Sequence, residues 1–300
     1  MILVAGGTGF IGRAIVRELA GRGEQLAVMS HRPEAAARRF PGLQVEVRRG
    51  DARDAASMKS AVAGTDTVIS CMQFPNFPVE DRRKGFTFEE VDARGNERLV
   101  AAARDAGVRS YVYLSGAGAA PDAPKHWFRA KWQAEQAIQA SGLRYTVFRP
   151  SWVYGRDDNS LNRFVAFARR LPFVPVVGDG KQRLQPVFVD DVARAVAESL
   201  TADAAANQVF EIGGPDVLTM DGVLRVMLAA MGKKKPLLHA PALLPKFAAL
   251  LMTPIPNRPL SPDAVDFITA DALADNGPLL RALSVRLTPL RAGLETYLGA

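Results

Sequence analysis

Glycines at positions 6, 9 and 12 give the sharpest chemical signal in the chain. They lie in Gly6-Gly7-Thr8-Gly9-Phe10-Ile11-Gly12, directly after the apolar run Ile2–Ala5 and at the start of an amphipathic segment, 11–21. At a strand-to-helix turn, Gly6 permits the tight reversal and Gly9 lets the backbone approach an anion. Gly12 allows the helix to pack closely on the strand. The first N–H groups of the helix lack intrahelical partners and carry partial positive charge, which suits a pyrophosphate. The bland alternative is a glycine-rich turn without a ligand, and the strand–turn–helix context argues against it.

The next informative residues follow the second apolar run. A dinucleotide site that prefers NAD needs a carboxylate about 20 residues past the glycines, to hold the ribose 2′-hydroxyl. Met29-Ser30-His31-Arg32-Pro33 stands there without one. Arg32, helped by Ser30 or His31, is expected to pair with a 2′-phosphate, so NADP(H) is the expected cofactor and NAD(H) the alternative. The competing reading of Arg32 is a surface arginine in an arginine-rich chain.

Positioning such groups requires a particular order of elements. Strand candidates are Ile2–Ala5, 25–29, 44–47, Thr67–Ser70, Ser110–Leu114 and 144–149. Helical patterns lie between them, at 11–21, 55–63, 90–106 and 128–141. Alternation of this kind predicts an α/β fold, a doubly wound parallel sheet of the Rossmann type. Beyond Pro150 proline and glycine become frequent. A helix at 191–200, a strand at Gln208–Ile212 and a helix at 219–231 follow. We expect a dinucleotide-binding unit over 1–150, with 183–212 returning to it. A smaller region, 151–182 and 213–300, is expected to cap the carboxyl edge of the sheet, where open α/β folds bind ligands.

Composition narrows the function further. The chain has 300 residues, 48% hydrophobic and 23% charged, as in ordinary globular proteins, which excludes disorder. No uninterrupted apolar run reaches the ~18 residues of a membrane-spanning helix. Met1–Ala5 reads as a strand, and no export signal is expected. The single cysteine, Cys71, excludes an internal disulfide framework and a multi-cysteine metal cage, and points to a reducing, cytoplasmic setting. A net charge of +7 raises the question of nucleic acid, but the basic residues are scattered. Their only dense run, Lys233-Lys234-Lys235, is not interleaved with aromatics, so no nucleic-acid partner is expected.

Several segments together resemble the extended and atypical short-chain dehydrogenases/reductases. They are the glycine motif, Gly50-Asp51, Ser115, Arg149-Pro150-Ser151-Trp152-Val153-Tyr154-Gly155, Val187-Phe188-Val189-Asp190-Asp191-Val192-Ala193 and Phe210-Glu211-Ile212-Gly213-Gly214. The branch most similar in flavour contains the NAD(P)H-binding accessory subunit of respiratory complex I and its bacterial relatives. The resemblance implies that Thr8, Gly9, Phe10 and Ile11 line the pyrophosphate loop. It implies Asp51 and Ala52 near the adenine, Cys71 and Met72 beside the adenosine ribose, and Pro150, Ser151 and Val153 at the nicotinamide. Asp51 has a competing reading as a helix cap. Cys71 reads as a wall residue, since nothing near it in sequence suggests an activated thiolate.

Members of this family place Tyr and Lys four apart on one helix, with Ser at a preceding strand end. Lys131 and Ser115 match, but position 127 is Trp127. Residues i and i+4 share a helical face, where a lysine lowers the phenol pKa. An indole N–H cannot exchange protons near neutral pH, so tyrosine-dependent carbonyl chemistry is not expected. Three readings follow. Lys131 binds the nicotinamide ribose and also serves as the acid, with Trp127 shaping an apolar pocket. Alternatively His126 supplies the proton, although helix geometry turns it about 100° from residue 127. In the third reading no reaction occurs, and the protein is a dinucleotide-binding accessory or redox sensor. Trp152 and Phe164 are expected to extend the apolar pocket, which suits a small, apolar or quinone-like substrate. The apolar stretch 241–254, with Leu243, Leu244, Phe247, Leu250, Leu251 and Met252, is expected to form a helix. It would close the pocket or meet a membrane surface or a respiratory-complex partner.

Overall fold

The computed structural model describes residues 1–241, 243 and 262–299. Seven strands make one parallel sheet: β1 (Ile2–Ala5), β2 (Leu26–Ser30), β3 (Val45–Arg49), β4 (Thr67–Ser70), β5 (Ser110–Leu114), β6 (Arg144–Pro150) and β11 (Gln208–Ile212). Their order is β11-β6-β5-β4-β1-β2-β3, which reverses direction between β1 and β4. The doubly wound α/β expectation is therefore borne out, and the reversal creates the crevice where such sheets bind ligands.

The two faces of the sheet follow from side-chain alternation along each strand. Ile2, Val4, Ile69, Val112, Leu114 and Phe148 point to one face, against α1 (Phe10–Gly21) and α7 (Val189–Ser199). Leu3, Ala5, Val68, Tyr111, Tyr113 and Val147 point to the other. That second face packs on α3 (Ala55–Val62), α4 (Arg94–Asp105) and α5 (His126–Gln139). Burial on both faces explains why these strands read as nearly continuous apolar runs.

The structure departs from the expected elements at the fourth crossover. The pattern over 90–106 is not one α-helix, because Phe88–Ala93 forms a π-helical turn before α4 begins at Arg94. Thr87 caps this turn by accepting from the Glu90 N–H at 3.0 Å. Phe88, Val91, Asp92 and Ala93 of this turn are all buried. Helix α5 starts at His126 rather than 128, and a short helix α2 (Pro33–Ala37) that was not expected follows β2.

Outside the main sheet, the chain beyond Pro150 forms small strand pairs. Within 183–212, α7 lies on α1 and β11 extends the main sheet beside β6. Pro186–Phe188 pairs instead with Trp152–Tyr154, and Arg183–Leu184 with Leu218–Thr219. Leu237–Ala240 runs parallel to Val174–Val177, another pair not evident from the sequence. Asp191 ties the tail to this body, accepting from the Thr288 N–H at 2.6 Å and its hydroxyl at 2.8 Å. The expected apolar helix over 241–254 lies outside the described residues, apart from Pro241 and an exposed Leu243. No described helix is long and apolar enough to cross a membrane.

Candidate dinucleotide and active site

At the β1–α1 turn each glycine meets a different steric demand. Gly6 has φ +83°, and a Cβ there would collide with the Cys71 carbonyl, so the turn presses on the end of β4. A Cβ at Gly12 would strike the Gly6 carbonyl and the Gly7 Cα, which fixes helix against turn. Gly9 is exposed, and a Cβ there would meet only the Gly6 oxygen at 3.2 Å. Gly9 is also the N-cap of α1, so no side chain covers the helix start, and its first turn holds no acidic residue. Open N–H groups, an exposed glycine and no competing carboxylate together fit a pyrophosphate. Thr8 and Ile11 are half-buried along this turn, while Phe10 packs against Gly155.

Arg32 and His31 are exposed at the end of β2. The Arg32 N–H donates to Ser30 Oγ at 3.1 Å, and the guanidinium has no ion-pair partner among the described residues. Asp51 is taken up by Arg53, accepting from its Nε at 2.9 Å and its Nη2 at 2.6 Å. That pairing holds the Asp51 carboxyl below its ordinary range, with nearby His31 adding slightly. The capping reading of Asp51 is corrected, since Asp54 caps α3 by accepting from the Ala56 N–H at 3.0 Å. Ala52 is half-buried, with its Cβ facing Gly95 of α4 and its carbonyl accepting from Arg98 at 3.1 Å. Met72 is buried, and the Cys71 thiol donates to the Ala5 carbonyl at 3.3 Å. Burial pushes the Cys71 thiol up to about 12 against the opposing charge of Lys131, which disfavours a thiolate there.

Trp127, Lys131 and Glu135 succeed one another at four-residue steps along one face of α5. Trp127 is 3% exposed and sits in an aromatic cluster with Phe74 and Phe88, its ring centroid 6.0 Å from that of Phe88. Lys131 Nζ lies 2.7 Å from Asp92 Oδ1, and Asp92 is wholly buried. Burial pushes the Asp92 carboxyl up, and the Lys131 charge works against that shift. Ser115 donates to buried Glu135, which also accepts from Arg149 Nε at 2.9 Å and Nη2 at 2.6 Å. His126 opens α5 on another side, its Nε2 3.7 Å from Glu80 Oε1 and its ring edge-on to Phe88.

Beyond β6, the Pro150 carbonyl accepts from the Ala117 N–H at 3.0 Å, and the Ser151 hydroxyl donates to the Gln185 carbonyl. Val153 is half-buried within the strand pair Trp152–Tyr154 and Pro186–Phe188. Trp152 donates from Nε1 to Ser160 Oγ at 2.8 Å, and Phe164 stacks edge-on with Phe167. The structure thus gathers the glycine turn, Cys71 and Lys131 at the carboxyl ends of the central strands, and turns His126 aside. Asp92, Glu135 and Glu80 are the groups that sequence reasoning missed. Asp92 falls on the inward side of an otherwise apolar helical pattern, and Glu135 one turn beyond Lys131. Those positions were the available signals.

Comparison with known proteins agrees with this geometry. The family model described as NAD(P)H-binding matches residues 6–203. The chain is 32% identical over 230 residues to the mitochondrial NADH dehydrogenase [ubiquinone] 1 alpha subcomplex subunit 9 of Arabidopsis thaliana, covering 75% of this chain. It spans 56% of that relative's own length. It is also 30% identical over 233 residues to the NAD(P)H azoreductase of Xenophilus azovorans, covering 78% of this chain and 74% of that one. Among solved structures it is similar to the Citrobacter sp. triphenylmethane reductase complexed with NADP(H). The TM-score is 0.75, with 22% identity over 99% of this chain and 100% of that chain. An NADPH-dependent quinone oxidoreductase from Escherichia coli aligns with a TM-score of 0.76, 20% identity and 99% coverage of both chains. Glycine turn, sheet order and sequence agreement lead to one assignment: the chain belongs to the NAD(P)H-binding Rossmann family of atypical short-chain dehydrogenases/reductases.

Proposed function

We propose that this chain is an NADPH-dependent reductase of a small, apolar, quinone-like acceptor. One observation carries the cofactor choice: an open glycine turn is followed by a β2 end with an exposed Arg32 that has no ion-pair partner among the described residues, and no carboxylate between Met29 and Pro33. A bound dihydronicotinamide supplies two electrons as hydride. The chain's own residues bind and orient it. The helix start would receive the pyrophosphate, Arg32 the 2′-phosphate, and Lys131 the nicotinamide ribose. Trp127 offers no titratable proton, and the Ser115 hydroxyl is engaged by Glu135. Acceptors that need no proton from position 127 are therefore favoured, and the quinone and azo-compound reductases among the relatives support that class. The lone thiol accords with a reducing, cytoplasmic setting, and we include that setting in the proposal.

A second reading has its own support. The buried Trp127 and the similarity to a complex I subunit favour a non-catalytic dinucleotide-binding accessory protein. NADPH oxidation against a panel of quinones, azo compounds, enones and ketones decides between the two. Turnover with quinones or azo compounds supports the reductase, and tight NADPH binding without turnover supports the accessory protein.

A further inference from the structure

Asp92 is a carboxylate with no exposure, a costly placement unless a charge and hydrogen bonds compensate it. Among the described residues the cation paired with it is Lys131, 2.7 Å from Oδ1, and neither carboxylate oxygen has a further hydrogen-bond partner. Its main chain is fixed as firmly as its side chain. The Asn96 amide donates to the Asp92 carbonyl at 2.7 Å, and Asn96 Oδ1 accepts from Ser70 Oγ at 2.6 Å. Ser70 ends β4, immediately before Cys71. A buried polar chain, Ser70–Asn96–Asp92–Lys131, therefore runs from the sheet's carboxyl edge at the glycine turn to the lysine. Asp92 lies in the π-helical turn over Phe88–Ala93, and such turns recur at functional sites.

We propose that Asp92 is a positioning residue, holding the Lys131 ammonium at the sheet edge for the dinucleotide rather than for the acceptor. This rests on the reading that the chain binds NADPH with Lys131 at its ribose. The other groups facing the pair do not replace Asp92. Glu80 is engaged by the Phe88 N–H at 2.8 Å, and Glu135 by Ser115 and Arg149. Tyr113 presents its ring to Lys131, with the centroid 5.6 Å from Nζ, and its buried hydroxyl has no hydrogen-bond partner among the described residues. Without Asp92 the lysine would keep no ion-pair partner among the described residues to fix the end of its long, flexible stem. A purely structural ion pair would stabilise the fold without affecting how the lysine meets a ligand.

A mutant cycle on NADPH affinity, read by fluorescence in the full chain, separates these roles. The proteins are the unmodified chain, Asp92→Asn, Lys131→Met and the double variant. Asp92→Asn is expected to weaken NADPH binding about tenfold, the scale of one charge-assisted hydrogen bond. In the Lys131→Met background the same change should alter affinity by less than about twofold, because Asp92 acts through the lysine. Equal losses in both backgrounds, or no loss in the first, would overturn the proposal. Circular dichroism checks folding. If Asp92→Asn does not fold, Asp92→Glu keeps the charge, displaces it by one methylene and enters the same cycle with the same criteria. Absence of NADPH binding by the unmodified chain would overturn the reductase reading and this proposal together. Intact binding with an additive cycle removes only the role of Asp92.

Discussion

Arg32 has no ion-pair partner among the described residues and stands at the N-cap of α2, where a 2′-phosphate would also meet a helix start. Arg32→Ala should erase most of the preference for NADPH over NADH, by about 1–3 kcal/mol for a charge-assisted contact. Titration with both dinucleotides checks this, and equal affinities in the unmodified protein would refute the assignment. Trp127→Tyr tests the other departure from the family pattern. The phenol would lie one turn from Lys131, but that ammonium is already met by Asp92 and the position is covered by Phe74 and Phe88. We expect a stability loss of about 1–3 kcal/mol from the vacated volume and no ketone reduction above background. Ketone-dependent NADPH oxidation by the variant would contradict that. Asp51 offers a pH test. Its folded-state pKa is depressed by Arg53, so the pairing stabilises above the unfolded value of ~3.9 and is lost as pH falls through the folded one. Arg53→Ala should therefore lower stability by about 0–1 kcal/mol at pH 7 and by less in strong acid, where only its contacts with the Lys84 carbonyl and the Phe86 ring are lost. Urea melts at both pH values read the difference.

At the scale of elements, the β1–α1 turn separates two kinds of glycine. Gly6 and Gly12 are required by the chain's own backbone, while Gly9 has room on its outer side. Gly9→Val should leave the sheet folded and abolish dinucleotide binding, because its branches would occupy the anion's approach to the helix start. Calorimetry showing unchanged NADPH affinity would mean that the cofactor is held elsewhere. The crossover into α4 carries a different lesson. Its apolar pattern over 90–106 reads as a plain amphipathic helix, and periodicity cannot distinguish that from a helix with a π-helical turn at its head. The distinction depends on Asp92 finding Lys131, 39 positions later in sequence, and on Gly95 fitting against Ala52.

For the whole molecule, the tail is held onto the dinucleotide-binding body by Asp191, whose carboxylate is wholly buried at the start of α7. It receives the Thr288 N–H and hydroxyl and also faces Arg194. Asp191→Ala leaves the Thr288 donors unpaired and should cost about 1–3 kcal/mol, the penalty of unsatisfied donors, since Arg194 is exposed enough to be solvated. Faster proteolysis near Thr288 with NADPH binding retained is the expected result, and an unchanged melting temperature would contradict it. The sheet, the glycine turn and the missing acid after β2 were legible in the order of residues. Each is a local matter: apolar runs of strand length, glycines where side chains would clash, and a residue type at a fixed offset. Tertiary structure alone decided which charges meet. Ser115 turns to Glu135, and Lys131 to Asp92. Burial makes these choices, since a carboxylate removed from water must take the partner that folding brings within reach, and neither spacing nor composition encodes that distance.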